Sequence, residues 1–112
     1  MIVKEWKHSG LNCCIRKGMF GTYNGYVQDP ADGKFNGNSS GGAIDLQVHG
    51  GITWHGPLKQ EGLETVWFGF DTCHAGDFDG TGALGKPLWT LEMVEQETNS
   101  LADQVALKVE RG

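Results

Sequence analysis

The clearest pattern along the chain is an alternation at residues 44–48. Ile44, Leu46 and Val48 fall on one side, and Asp45, Gln47 and His49 on the other. Period-two alternation predicts a half-buried strand. Gly50-Gly51 suggests a bulge or tight bend before Ile52-Thr53-Trp54-His55 resumes the strand and Gly56-Pro57 ends it. Val66 to Asp71 predicts a second strand, with Val66, Phe68 and Phe70 on one face and Trp67, Gly69 and Asp71 on the other. Only residues 57–65 separate the two, so the natural pairing of 44–55 with 66–71 is antiparallel. Leu11 to Arg16 and Gly25-Tyr26-Val27 read as shorter strand segments within an otherwise irregular 1–27.

The period changes near the C-terminus. Leu91, Val94, Thr98, Leu101 and Val105 recur at helical spacing. Pro87 sits where a first helical turn tolerates it. Glu92, Glu95 and Glu97 lie early, and Lys108 and Arg111 late, as the helix dipole favours. These signals predict one helix over 88–108, packed on the face made by Ile44, Leu46, Val48, Val66, Phe68 and Phe70. The segments 28–43 and 72–87 are rich in Gly, Asp, Asn and Ser and read as loops, the first as a mobile arm or lid. The expected fold is α+β: a small antiparallel β-sheet, one C-terminal helix on one face, and long Gly-rich loops. No repeat or linker divides residues 1–112, so a single domain is expected.

Composition fits that picture. Gly contributes 18 of 112 residues, roughly twice its ~7% share in ordinary domains, which favours turns over helix. Four Trp and five Phe supply the apolar area of a small core. The net charge of −5, with Lys and Arg scattered, argues against a surface for non-specific nucleic-acid or anionic-membrane binding. No apolar run is long enough to span a bilayer, and Met1 to Lys7 lacks the apolar region of a secretory signal. The expected location is the cytoplasm, of a bacterium or an infected host cell. Cys13, Cys14 and Cys73 are odd in number and form no C-x-x-C, which points to free thiols; on a strand, Cys13 and Cys14 face opposite ways.

The candidate chemistry follows from the faces. If the helix covers the Val48 and Phe70 side, His49 and Asp71 emerge on the other, and the following loop brings His74 and Asp77 nearby. A His and carboxylate cluster has three uses. It can hold a divalent metal such as zinc, manganese or iron. It can pair a general base with the acid that orients it. It can also be a hydrogen-bonded network that pins a Gly-rich loop. His49, Asp71, His74 and Asp77 are therefore candidates for catalysis and for metal binding. With Gly50, Gly51, Thr53 and Trp67 they are candidates for ligand binding. Trp67 shares the Asp71 face and could stack on a planar ligand. His55 reads as a surface or capping residue. Asp77-Phe78-Asp79-Gly80 lacks the ligand ladder and closing Glu of a calcium loop. No P-loop or G-x-S-x-G motif is present.

His49-Gly50-Gly51-Ile52-Thr53, followed by Trp67-Phe68-Gly69-Phe70-Asp71-x-x-His74-Ala75-Gly76-Asp77, resembles a family of small phage and prophage proteins with an HGG[LI]T … W-x-GFD-x-x-HAGD signature. Tyr26-Val27 and the C-terminal helix fit the same order, so the resemblance covers roughly residues 25–107. Thr72 stands where that family commonly has Cys, and the Asp32 to Gly37 stretch differs. The resemblance implies a viral or mobile-element origin, without an activity. The expected function is accordingly a small accessory protein that binds a host protein or a nucleotide-like small ligand and counters host defence. The alternatives are a small metal-dependent or His/Asp hydrolase acting on phosphodiesters, and a purely structural or interaction protein. The apolar helix stripe and the Trp content leave room for a homodimer.

Overall fold

The computed structural model describes residues 1–33, 45–79 and 85–111. Five antiparallel strands form the main sheet: β1 (Ile2–His8), β2 (Leu11–Lys17), β3 (Tyr23–Gln28), β4 (Trp54–Leu58) and β5 (Leu63–Phe70), in the order β1-β2-β3-β5-β4. A two-residue ladder pairs β6 (Phe78–Asp79) with β7 (Lys86–Pro87). One helix, α1 (Leu91–Arg111), packs chiefly on β2 and β3. The α+β class, the antiparallel sheet and the C-terminal helix on one face are as the sequence predicts.

The core lies between sheet and helix. Cys13, Ile15, Val27, Phe68 and Phe70 meet Val94, Leu101, Ala102 and Val105, all buried. Thr98 is also buried, and its hydroxyl donates to the Val94 carbonyl at 2.7 Å, which satisfies it within the helix. Cys14, Tyr26 and Trp67 point to the opposite face, where Leu58 covers them. Cys13 and Cys14 thus divide between the faces as expected, and all three cysteines are free. Burial pushes the thiols up, Cys13 to about 11 and Cys14 to about 12, so neither is a ready nucleophile.

Four expectations need correction. First, residues 45–48 form no strand. Leu46 enters the core and Val48 packs against it, but the backbone bonds to helix side chains. The Gln47 amide donates to Gln104 Oε1 at 2.7 Å, Gln104 Nε2 donates back to the Gln47 carbonyl at 2.8 Å, and the His49 amide donates to Glu97 Oε2 at 2.7 Å. Second, the strand that pairs with β5 is Trp54–Leu58, which runs through Pro57; as the sheet's edge, β4 tolerates a residue without an amide hydrogen. Third, the helix starts at Leu91 rather than 88. Thr90 caps it, its hydroxyl accepting from the Met93 amide at 3.2 Å, while Pro87 lies in β7 opposite Phe78. Fourth, residues 2–8 are an ordered edge strand. Ser9 and Gly10, both at positive φ, make the two-residue hairpin turn into β2. The expected loop at 28–43 and the Asp77–Gly80 stretch fall partly outside the described residues.

Candidate functional site

Two neighbouring regions at one end of the sheet carry the chemistry. The first is a His and Asp cluster. Its centre is Asp77, buried at the foot of the loop after β5 and held through its backbone: its amide donates to the His74 carbonyl at 3.0 Å, and its own carbonyl accepts from the Leu88 amide at 2.8 Å. The Asp77 carboxylate then uses both oxygens. Oδ1 hydrogen-bonds His49 Nε2 at 2.7 Å, and Oδ2 accepts from the His74 amide at 2.9 Å. Burial pushes this carboxyl up, but the His74 amide and the His49 imidazole outweigh it and hold it below the ordinary aspartate value.

The two imidazoles face each other edge to face, with ring centroids 5.8 Å apart. His49 is backed by Trp89, whose ring centroid lies 4.3 Å away. His74 Nδ1 is buried, 3.3 Å from Asp71 Oδ1 and 3.4 Å from Asp77 Oδ2, yet aligned with neither for a hydrogen bond. Gly50 shapes this packing. Its φ is 71°, and a Cβ there would collide with the His74 ring. Only glycine meets both demands cheaply.

His49 does not emerge on the face away from the helix. Its amide is bonded to Glu97 of α1 and its ring lies on Trp89, just before α1, so it approaches the cluster from the helix side. Asp71 does lie on the far face. The cluster therefore assembles around the end of β5, with His74 and Asp77 supplied by the loop and Asp71 joined through His74.

The second region lies on the face away from α1. A bulge between Pro57 and Leu58 bends the β4–β5 hairpin, and its tip, Lys59–Glu61, reaches across the sheet to β1 and β2. Glu61 accepts from Arg16 Nε at 3.2 Å and from the Ile2 amide at 3.3 Å, and Arg16 also donates to Gln60 at 2.9 Å. Between this tip and the sheet opens a cleft of about 620 Å³, bordered by Arg16, Asn24, Tyr26, Trp54, Lys59 and Asp71. Gly69 lets the Tyr26 ring lie flat across its floor, since a Cβ there would strike that ring. Arg16 stands over Tyr26 at 5.6 Å. Asn24 Oδ1 is buried with no hydrogen-bond partner among the described residues.

Of the residues singled out from the sequence, His49, His74 and Asp77 come together, with Asp71 at their edge and Gly50 beneath His74. Gly51 completes the turn, its amide donating to the Val48 carbonyl at 2.9 Å. Thr53 lines the cleft instead. Trp67 is on the expected face but only 5% exposed under Leu58, whereas Trp54 is 47% exposed beside the cleft. His55 is not a surface residue. Its side chain is 7% exposed, stacked on Phe68 at 4.4 Å and paired with Asp29 at 2.9 Å. Asp29 in turn accepts from the Ala31 and Gly33 amides at 2.8 and 3.0 Å and so pins the turn after β3. Arg16, Asn24 and Tyr26 were not singled out, because nothing in the local sequence shows that the hairpin tip folds back over them.

No protein-family model matches this chain, and no match is found among the curated proteins or the solved structures. No described helix is long and apolar enough to cross a membrane.

Proposed function

We propose that this chain is a small-ligand-binding protein whose recognition site is the cleft under the β4–β5 hairpin, and that the ligand is nucleotide-like: a planar heterocycle with N–H donors and an anionic substituent. The carrying observation is the juxtaposition there of the exposed Trp54 ring with Asn24 Oδ1, a buried acceptor lacking a donor. A buried acceptor left unmatched costs about 1–3 kcal/mol, and a ligand N–H recovers it once the Asn24 amide turns toward the cleft. Trp54 offers an open π-face for stacking. Asp71 adds a second acceptor, and Arg16 and Lys59 border the same cleft as cations for an anionic group. The volume of about 620 Å³ falls within the ordinary range for small-molecule sites. Taken with the resemblance to phage and prophage proteins, this reading makes the chain an accessory protein that sequesters a nucleotide-like signal of its host.

The test is a thermal-shift and tryptophan-fluorescence titration with purine and pyrimidine nucleosides and their monophosphates. Binding should raise the melting temperature with ligand excess, by the equivalent of about 2.7 kcal/mol at a hundredfold excess over Kd. It should also quench Trp54, and Trp54→Ala and Asn24→Ala should each remove the shift while keeping the far-UV spectrum. No shift with any member of the panel, or a shift that survives both substitutions, overturns the reading. Assaying the same mixtures for phosphate or nucleoside release separates binding from hydrolysis.

A further inference from the structure

We infer that His49, His74 and Asp77 form a binding site for one divalent transition-metal ion, with zinc the best fit. This goes beyond the cleft and does not depend on what the cleft binds.

Two observations carry it. The first is the donor set: one atom from each of the three side chains lies within 4.8 Å of the other two. Two imidazole nitrogens and one carboxylate oxygen suit zinc and its neighbours in preference to calcium or magnesium, which take oxygen ligands. Zinc holds such ligands at about 2.0–2.2 Å, so tetrahedral partners stand roughly 3.4 Å apart. The His49 Nε2 to Asp77 Oδ1 pair, now at 2.7 Å, needs to open by under about 1 Å, and the widest pair to close by little more than that.

The second observation is independent of spacing. His74 Nδ1 is buried 3.3 and 3.4 Å from two carboxylates, close enough for an ion pair but out of line for a well-formed hydrogen bond with either. A ring nitrogen so placed is either a donor without an acceptor in line or a lone pair without a proton. A cation satisfies the second case directly. The surroundings also hold the donor residues in place. The His74 amide orients Asp77 at 2.9 Å, Trp89 backs the His49 ring, and Glu97 fixes the His49 backbone. Three protein ligands would leave a coordination position open, and Asp71, whose Oδ1 lies 3.3 Å from His74 Nδ1 and accepts from the Cys73 amide at 3.1 Å, borders the site.

The experiment is a titration of the intact, metal-stripped protein with Co2+, followed by its d–d absorption, and then displacement by Zn2+ followed by calorimetry. The expected result is one ion per chain, with a spectrum of four- or five-coordinate N/O ligation and no thiolate band. His74→Gln and Asp77→Asn should each weaken the apparent affinity by roughly tenfold or more, whereas Cys73→Ser and His8→Ala leave it unchanged. To guard against variants that do not fold, long-range 1H–15N spectra of the wild-type protein should show Zn2+ shifting the imidazoles of His49 and His74 and sparing those of His8 and His55. Absence of stoichiometric binding overturns the inference. So does a thiolate band lost in Cys73→Ser, or imidazole shifts confined to His8.

Discussion

Asp77 is the residue on which the cluster turns. Both carboxylate oxygens are occupied while the side chain is buried, so removing the charge leaves His49 Nε2 and the His74 amide with a poorer acceptor. Asp77→Asn should therefore cost about 1–3 kcal/mol at neutral pH. The pH dependence has a definite sign. The folded carboxyl titrates below its unfolded value of about 4, so its contribution is present above that pH and is lost as the pH falls through the folded value. Urea unfolding at a series of pH values should show the gap between wild type and Asp77→Asn narrowing below about pH 4. A constant gap would mean that the charge contributes nothing. Gly50 sits under the same group. With φ at 71° and the His74 ring against it, Gly50→Ala should destabilise by at least about 1–2 kcal/mol, the cost of the left-handed conformation alone, measured by chemical denaturation. Both residues were legible in the sequence as chemistry, because His, Asp and Gly concentrate in two short stretches. The direction from which His49 arrives was not, because alternation at 44–48 cannot tell a strand from an extended segment clamped to a helix.

At the scale of elements, the missed features share one cause: partners far apart in sequence. The first strand shows it best. Lys4 pairs with Glu95 at 2.5 Å, Trp6 Nε1 donates to Asn99 Oδ1 at 2.7 Å, and His8 pairs with Asp103 at 2.9 Å. Alternate strand residues advance about 6.7 Å and every fourth helix residue about 6 Å, so a period-two row of β1 runs beside an i, i+4 row of α1. A strand that lies along the flank of a helix needs polar side chains in its row, and Lys4, Trp6 and His8 hide the hydrophobic alternation that marks β5 plainly. The helix itself was readable because its stripe at Val94, Thr98, Leu101 and Val105 meets one continuous core. Its start was displaced by three residues, since Pro87 suggested a first turn while the cap is Thr90. Thr90→Ala should cost about 1 kcal/mol in denaturant unfolding, whereas Pro87→Ala, outside the helix, should leave helix content unchanged by circular dichroism.

The described part of the molecule is asymmetric about its sheet. Among the described residues, one face is closed by a helix of 21 residues and the other by a hairpin tip folded back over it. That difference sets where stability and where recognition reside. The tip is fastened in two ways: Leu58, 3% exposed, seals Cys14, Tyr26 and Trp67, while Glu61 is tied to Arg16 and to the Ile2 amide. The polar tie is largely shielded, with the Arg16 and Glu61 side chains 19% and 14% exposed, and its attraction is offset by the hydration that both charges lose. The apolar seal is buried, where losing three carbons costs the transfer energy plus the cavity left behind. Leu58→Ala should therefore cost about 2–4 kcal/mol, a large share of the 5–15 kcal/mol typical of a small domain. Glu61→Gln keeps an acceptor for the Ile2 amide and Arg16, so it should lower stability less than Leu58→Ala while loosening the tip. Acrylamide quenching separates the two roles. Trp67 should become markedly more accessible in Leu58→Ala and modestly so in Glu61→Gln, while Trp54, already exposed, stays the same. If Glu61→Gln exposes Trp67 as fully as Leu58→Ala does, the ion pair rather than the leucine holds the tip against the sheet. Ligand affinity would then fall as salt rises.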